Sequence, residues 1–109
     1  MAQEREGLGR TMVALPGAQL AVMQQVCAAA KGPCIVVSMN GGGVDLSWAV
    51  QADVVDSILW IGYPGPLGGQ ALADSVFGAN VPAGRTITTW HDAAFVDSVS
   101  LFGEAAGAG

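Results

Sequence analysis

The stretch from Ile58 to Gly69, Ile-Leu-Trp-Ile-Gly-Tyr-Pro-Gly-Pro-Leu-Gly-Gly, leaves the chain few folding options. With Val54 and Val55 before it, the run Ile58, Leu59, Trp60, Ile61 is apolar on both sides of an extended backbone. That is the pattern of a strand in a parallel sheet covered by helices on both faces. Gly62, Gly65, Gly68 and Gly69 then allow backbone conformations that a Cβ resists, and Gln70 to Phe77 reads as a helix closed by Gly78. Strand, glycine turn and helix are the local plan of a doubly wound α/β layer, whose ligands bind beyond the carboxyl ends of the strands. Trp60 and Tyr63 fall at such an end.

The rest of the chain fits around this unit. Residues 1–15 read as a loop without a strong period, ending in Leu15-Pro16-Gly17, which suggests that a first strand precedes Met1. From Pro16 to Lys31 the spacing is helical: Leu20, Met23, Cys27 and Ala30 form a core-facing stripe, and Lys31 and Gly32 are stop signals. Pro33 opens Cys34 to Met39, a β-branched run that reads as a buried strand. After Asn40-Gly41-Gly42-Gly43, Asp45 is placed to cap a short helix through Ala52. Residues 80–85 form a turn, and Thr86 to Trp90 alternates as an exposed or edge strand does. Phe95 to Phe102 suits a short helix or strand, and the Gly- and Ala-rich residues 103–109 read as a disordered tail. The reading is an α/β domain over residues 1–95, incomplete at its N-terminus, with 96–109 as a tail. It holds two or three parallel strands and crossover helices.

Composition narrows the function. At 109 residues the chain is one domain or a piece of one. It is 51% hydrophobic and only 12% charged, where an average chain carries about 25% charged residues, so part of its surface is suited to another domain. Four Lys and Arg against a net charge of -5 leave no basic stripe for nucleic acid and no attraction to anionic membranes. No apolar run approaches the roughly 20 residues that span a bilayer, and the start Met1-Ala2-Gln3-Glu4-Arg5-Glu6 is not a signal peptide. Cys27 and Cys34 read as buried free thiols rather than a disulfide. A single histidine, His91, and no Cys-x-x-Cys pair leave no metal site.

Neither phosphate-binding glycine signature is present, and Gly-x-Ser-x-Gly is absent, so no cofactor is expected, and His91 reads as an exposed loop residue. Glu4 and Glu6 stand two residues apart on a glycine-containing loop with Arg5 and Arg10 nearby, which suits a mobile general acid/base over a cleft. Taken alone, a solvated charge run is the plainer reading. Trp60 and Tyr63 beside glycines suit stacking on sugar rings, with core packing the equal reading for Trp60 on spacing alone. Trp48 and Trp90 are assigned to core or domain contacts.

Together these pieces resemble a family. Glu4-x-Glu6-Gly7-Leu8-x-Arg10, Leu15-Pro16-Gly17-x-Gln19, Lys31-Gly32-Pro33 and Met39-x-Gly41-Gly42-x-Val44-Asp45-Leu46-Ser47 run in order with Ile58-Leu59-Trp60-x-Gly62-Tyr63-Pro64-Gly65, Gly68-Gly69-x-Ala71-x-Ala73-Asp74, Phe77-Gly78, Pro82-x-Gly84-Arg85 and Thr89-Trp90. Over residues 3–92 they are similar to the second domain of family 3 glycoside hydrolases, in particular the plant and fungal β-xylosidase and α-arabinofuranosidase branch.

The resemblance implies a three-layer α/β/α sandwich, partial here, with a mostly parallel sheet in a flavodoxin-like layout. It implies a retaining exo-glycosidase whose nucleophile lies on a separate (β/α) barrel, in cis or trans, so that no nucleophile is expected in this chain. The substrate would be a xylan-derived oligosaccharide. The chain would supply the acid/base loop at Glu4 to Arg10, with either Glu4 or Glu6 as proton donor and Arg10 orienting the loop, and Trp60 and Tyr63 would contact the sugar. Such enzymes are often extracellular or in the cell wall. Two positions depart from the pattern: Gly9 replaces an aspartate before the arginine, and Pro66 replaces a glutamine after Tyr63-Pro64-Gly65. Two alternatives stand beside this reading. One is a barrel-less module that binds carbohydrate or protein without hydrolysis. The other is an unrelated flavodoxin-like domain that binds a nucleotide or another small anion.

Overall fold

A computed structural model describes Gly7, Arg10 and residues 12–99. The elements run α1 (Gln19–Ala29), β1 (Ile35–Ser38), α2 (Ser47–Gln51), β2 (Ser57–Trp60), α3 (Gly68–Val76) and α4 (Ala93–Ser98). Strands β1 and β2 pair in parallel, Val36 opposite Ile58 and Ser38 opposite Trp60. A βαβ crossover through α2 is thus in place, as the strand, turn and helix pattern requires. The Glu4 and Glu6 loop positions and the tail from 100 onward lie outside the described residues.

Burial explains the order of the elements. Val36 on β1, Cys27 on α1 and Ala49 on α2 are buried against one another, with Met23, Trp48, Val55 and Ile58 partly buried around them. Val36 and Ile58 are register partners and therefore point to the same face of the pleat. Val44 and Leu46 complete the buried apolar set among the described residues. Much apolar surface stays uncovered: Val26 is 60% exposed, Met39 64% and Phe77 86%.

Helix α1 is shorter than its apolar stripe. It starts after Gly17, whose φ of 54° is outside the helical region, and ends where Ala30 turns extended at ψ 135°. The Leu20 and Ala30 ends of the stripe are exposed, so only Met23 and Cys27 reach the core. Helix α3 begins two residues before Gln70, where the Gly68 N–H donates to the Gly65 carbonyl at 2.9 Å, and Gly78 closes it with φ 79°. At Gly68 a Cβ would come within 2.4 Å of the Pro64 ring, so a bare backbone is required where the turn meets the helix.

Two expectations are corrected. Cys27 and Cys34 are joined as a disulfide, not held as free thiols. The turn at residues 30–34 brings the start of β1 back beside the end of α1, with Cα atoms 5.5 Å apart, within the span a disulfide bridges. Thr86 to Trp90 forms no strand. Alternation alone supplied that expectation, and the segment is held through Trp90 and Ala93 rather than by a ladder. Helix α4 begins at Ala93 because the Asp92 carboxylate accepts the Phe95 N–H at 2.6 Å, a cap in the preferred residue type.

The disulfide closes a short loop, seven residues in sequence, for which chain-entropy arguments give about 2 to 3 kcal/mol. Reduction should therefore lower the urea unfolding midpoint. Matching midpoints with and without dithiothreitol would remove the bridge from the stability of the fold.

Candidate functional site at the strand ends

The carboxyl ends of β1 and β2 deliver two turns, Met39 to Gly43 and Ile61 to Gly65, side by side. Gly62, at φ 57°, lets the second turn leave β2 sharply. The Trp60 indole Nε1 donates to the Asn40 carbonyl at 2.9 Å, tying one turn to the other. Its ring packs edge-to-face with that of Trp90, centroids 5.7 Å apart and planes at 74°, an arrangement that the ring quadrupoles favour. Trp60 is half-buried, so it anchors the turn while keeping part of its ring accessible.

Tyr63 is 70% exposed and lies over Gly41, where a Cβ would approach its ring to 2.9 Å. Arg10 donates from Nη2 to the Gly43 carbonyl at 2.8 Å. The Asn40 side chain bridges within its own turn, accepting from Ser38 Oγ and donating to the Gly42 carbonyl. The turn after β1 is thus a common seat for Arg10, Trp60 and Tyr63. The residue pattern marks the glycines but not this role, because a glycine in a sequence does not reveal which side chain crosses it.

The three candidates do not share one cavity. Arg10, Ser38, Asn40 and Tyr63 line a cavity of about 300 Å³ with the N-terminal side of α1. Trp60 lines a larger groove of about 1340 Å³ with Asp45, Arg85, Trp90 and His91. His91 is exposed, as its loop position suggests, and stacks on Phe95 at 4.1 Å. Among the described residues no group of His, Cys, Asp and Glu is placed to hold a metal, and no described helix is long and apolar enough to cross a membrane.

Asp45, expected to cap α2, stands one residue ahead of the observed N-cap, Leu46, and still accepts an amide hydrogen of the first turn. Its Oδ1 accepts from the Ser47 N–H at 2.9 Å and from Ser47 Oγ at 2.5 Å, while Oδ2 accepts from the Ala93 N–H at 3.0 Å. The Ser47 hydroxyl chiefly, against some desolvation, holds its carboxyl below the ordinary value, and the Ser47 and Ala93 amides add to this. A depressed carboxyl contributes stability above its unfolded pKa and loses it as pH falls through the folded one. The stability advantage of the wild type over Asp45→Asn should accordingly shrink below about pH 4. Urea midpoints for both proteins from neutral to acid pH measure this; an advantage that grows on acidification has the wrong sign.

A parallel two-stranded sheet with its crossover helix, flanking helices and glycine turns beyond the strand ends defines part of an α/β sandwich domain. The chain belongs to the C-terminal domain family of the family 3 glycosyl hydrolases, whose model matches residues 1–103. It is 45% identical over 101 residues to beta-xylosidase/alpha-L-arabinofuranosidase 1 of Medicago sativa subsp. varia, covering 93% of this chain and 13% of that protein. To the exo-1,4-beta-xylosidase xlnD of Aspergillus awamori it is 44% identical over 95 residues, 86% of this chain and 12% of the relative. A family 3 exo-beta-xylosidase, XlnD, solved in complex with a xylobiose aziridine activity-based probe, superposes with a TM-score of 0.84 at 37% identity, over 92% of this chain and 13% of that one. The chain therefore spans about an eighth of the length of these relatives, and the reading of an unrelated flavodoxin-like domain falls away.

Proposed function

We propose that this chain is the acid/base half of a retaining exo-glycosidase that hydrolyses xylosidic or arabinosidic bonds in xylan-derived oligosaccharides. Its catalytic partner is a family 3 (β/α) barrel, in cis or trans, carrying the nucleophile. Retention needs two carboxyl groups about 5 to 5.5 Å apart, one attacking the anomeric carbon and one protonating the leaving oxygen and then activating water. Glu4 or Glu6 is the second of these, Arg10 orients the loop that carries it, and Trp60 and Tyr63 contact the sugar.

The observation that carries this reading is the 2.8 Å bond from Arg10 to the Gly43 carbonyl. It ties the chain four residues after Glu6 to the turn on which Trp60 and Tyr63 rest. The uncovered apolar side chains support the barrel, because a soluble domain rarely leaves such surface without a partner. The test joins the chain to a family 3 barrel and compares Glu4→Gln with Glu6→Gln on xylosides of differing leaving group.

A further inference from the structure

Residues 82–92 cross the groove beside β2 as coil. Residues 81–89 are exposed, and among the described residues no backbone hydrogen bond ties 82–91 to the rest of the fold. Arg85 donates only locally among the bonds described, to the carbonyls of Ala83 and Gly84 at 3.2 and 3.0 Å. A segment of this kind opens readily unless something at its end holds it.

Two contacts at its end do so. The Trp90 ring lies against the bare backbone of Gly43, where a Cβ would approach Cγ to 3.3 Å, and makes a T-shaped contact with Trp60. Three residues on, the Ala93 N–H meets Asp45 Oδ2 at 3.0 Å, across 48 residues of sequence. The other oxygen of the same carboxylate is fixed by Ser47 at the start of α2. One side chain therefore links the first turns of two helices, and a hydrogen bond to an ionised acceptor is among the stronger ones.

We propose that Asp45 is a positioning residue that clasps the 82–92 segment over the carboxyl end of β2, holding Trp90 on Gly43 and so fixing the orientation in which Trp60 is offered at the strand end. Its consequence for a ligand rests on the role proposed for Trp60, but the clasp itself is read without any ligand, so the two can fail separately.

Ala93 supplies a selective test. It is the first helical residue of α4, where proline is tolerated, and Asp92 before it is already extended at φ -72°, ψ 166°, as a residue preceding proline prefers. Ala93→Pro thus deletes the donor of the clasp while leaving the Asp45 to Ser47 bonds in place. The experiment is limited trypsin digestion of the 109-residue chain, with cleavage after Arg85 followed by mass spectrometry and cleavage after Lys31 as the internal reference. Trypsin reads the population of the open form when opening is fast relative to cleavage. Ala93→Pro and Asp45→Ala should each raise cleavage after Arg85 about tenfold or more relative to Lys31. Both should also weaken the exciton couplet that the Trp60 and Trp90 pair gives in circular dichroism, with Trp90→Phe marking its complete loss. Unchanged cleavage and couplet in Ala93→Pro overturn the clasp, and an equal rise at both bonds overturns it too, because Asp45 would then serve general stability. If Asp45→Ala does not fold, Ala93→Pro decides alone.

Discussion

Joined to a family 3 barrel, one of the two variants Glu4→Gln and Glu6→Gln should lose about 10² to 10⁴-fold in the hydrolysis of xylosides with poor leaving groups and far less with activated ones. A poor leaving group departs as an alkoxide unless a proton reaches its oxygen in the transition state, so its rate depends on the acid. An activated phenolate leaves without that help, and its first step survives the substitution. Gln keeps the shape and much of the polarity of Glu but has no proton to give, so the difference between substrate classes isolates proton transfer from loop folding. The other variant should stay near wild type, which names the donor. Equal slowing of both classes by both variants would falsify the acid/base assignment and return this loop to a binding or structural role. The Arg10 bond to Gly43 adds a geometric expectation, since the donor must lie within reach of a loop held at that point.

How much of this was readable from residues alone follows physical range. Local rules carried the elements: a β-branched run after Pro33 gave β1, the apolar run after Val55 gave β2, and Gly78 closed α3 in the left-handed conformation its position calls for. Rules of period two failed at Thr86 to Trp90, because alternation records only that one side is apolar. Here only Trp90 is packed, against Trp60 and Gly43, while Ile87 is 83% exposed and no strand pairs with the segment. The disulfide is not legible for a similar reason: a spacing of seven residues says nothing about whether a turn brings two Cα atoms to 5.5 Å. At the candidate site, the family pattern singles out Arg10, Trp60 and Tyr63 as residues to examine. Their shared seat on residues 40–43 is not legible there, since it is made of backbone carbonyls and of absent Cβ atoms.

Trp60 is the residue on which anchoring and recognition have to be separated, and its two halves allow it. Trp60→Ala removes the Nε1 bond to Asn40, the edge contact with Trp90 and a half-buried ring, and should cost about 2 to 3 kcal/mol of stability. If the exposed part of the ring stacks on a sugar, the barrel-joined form should in addition show KM raised about tenfold or more, equivalent to roughly 1.4 kcal/mol, under conditions where the variant is still fully folded. Trp60→Phe divides the two effects. It keeps an aromatic face toward both Trp90 and a ligand but strips the Asn40 carbonyl of its donor, for a stability cost of about 1 kcal/mol with KM nearly retained. A Phe variant that loses KM as completely as the Ala variant means that the indole N–H, by fixing the two turns together, matters more than the ring surface. A pair of variants whose melting temperatures fall while KM stays constant makes Trp60 an anchor only.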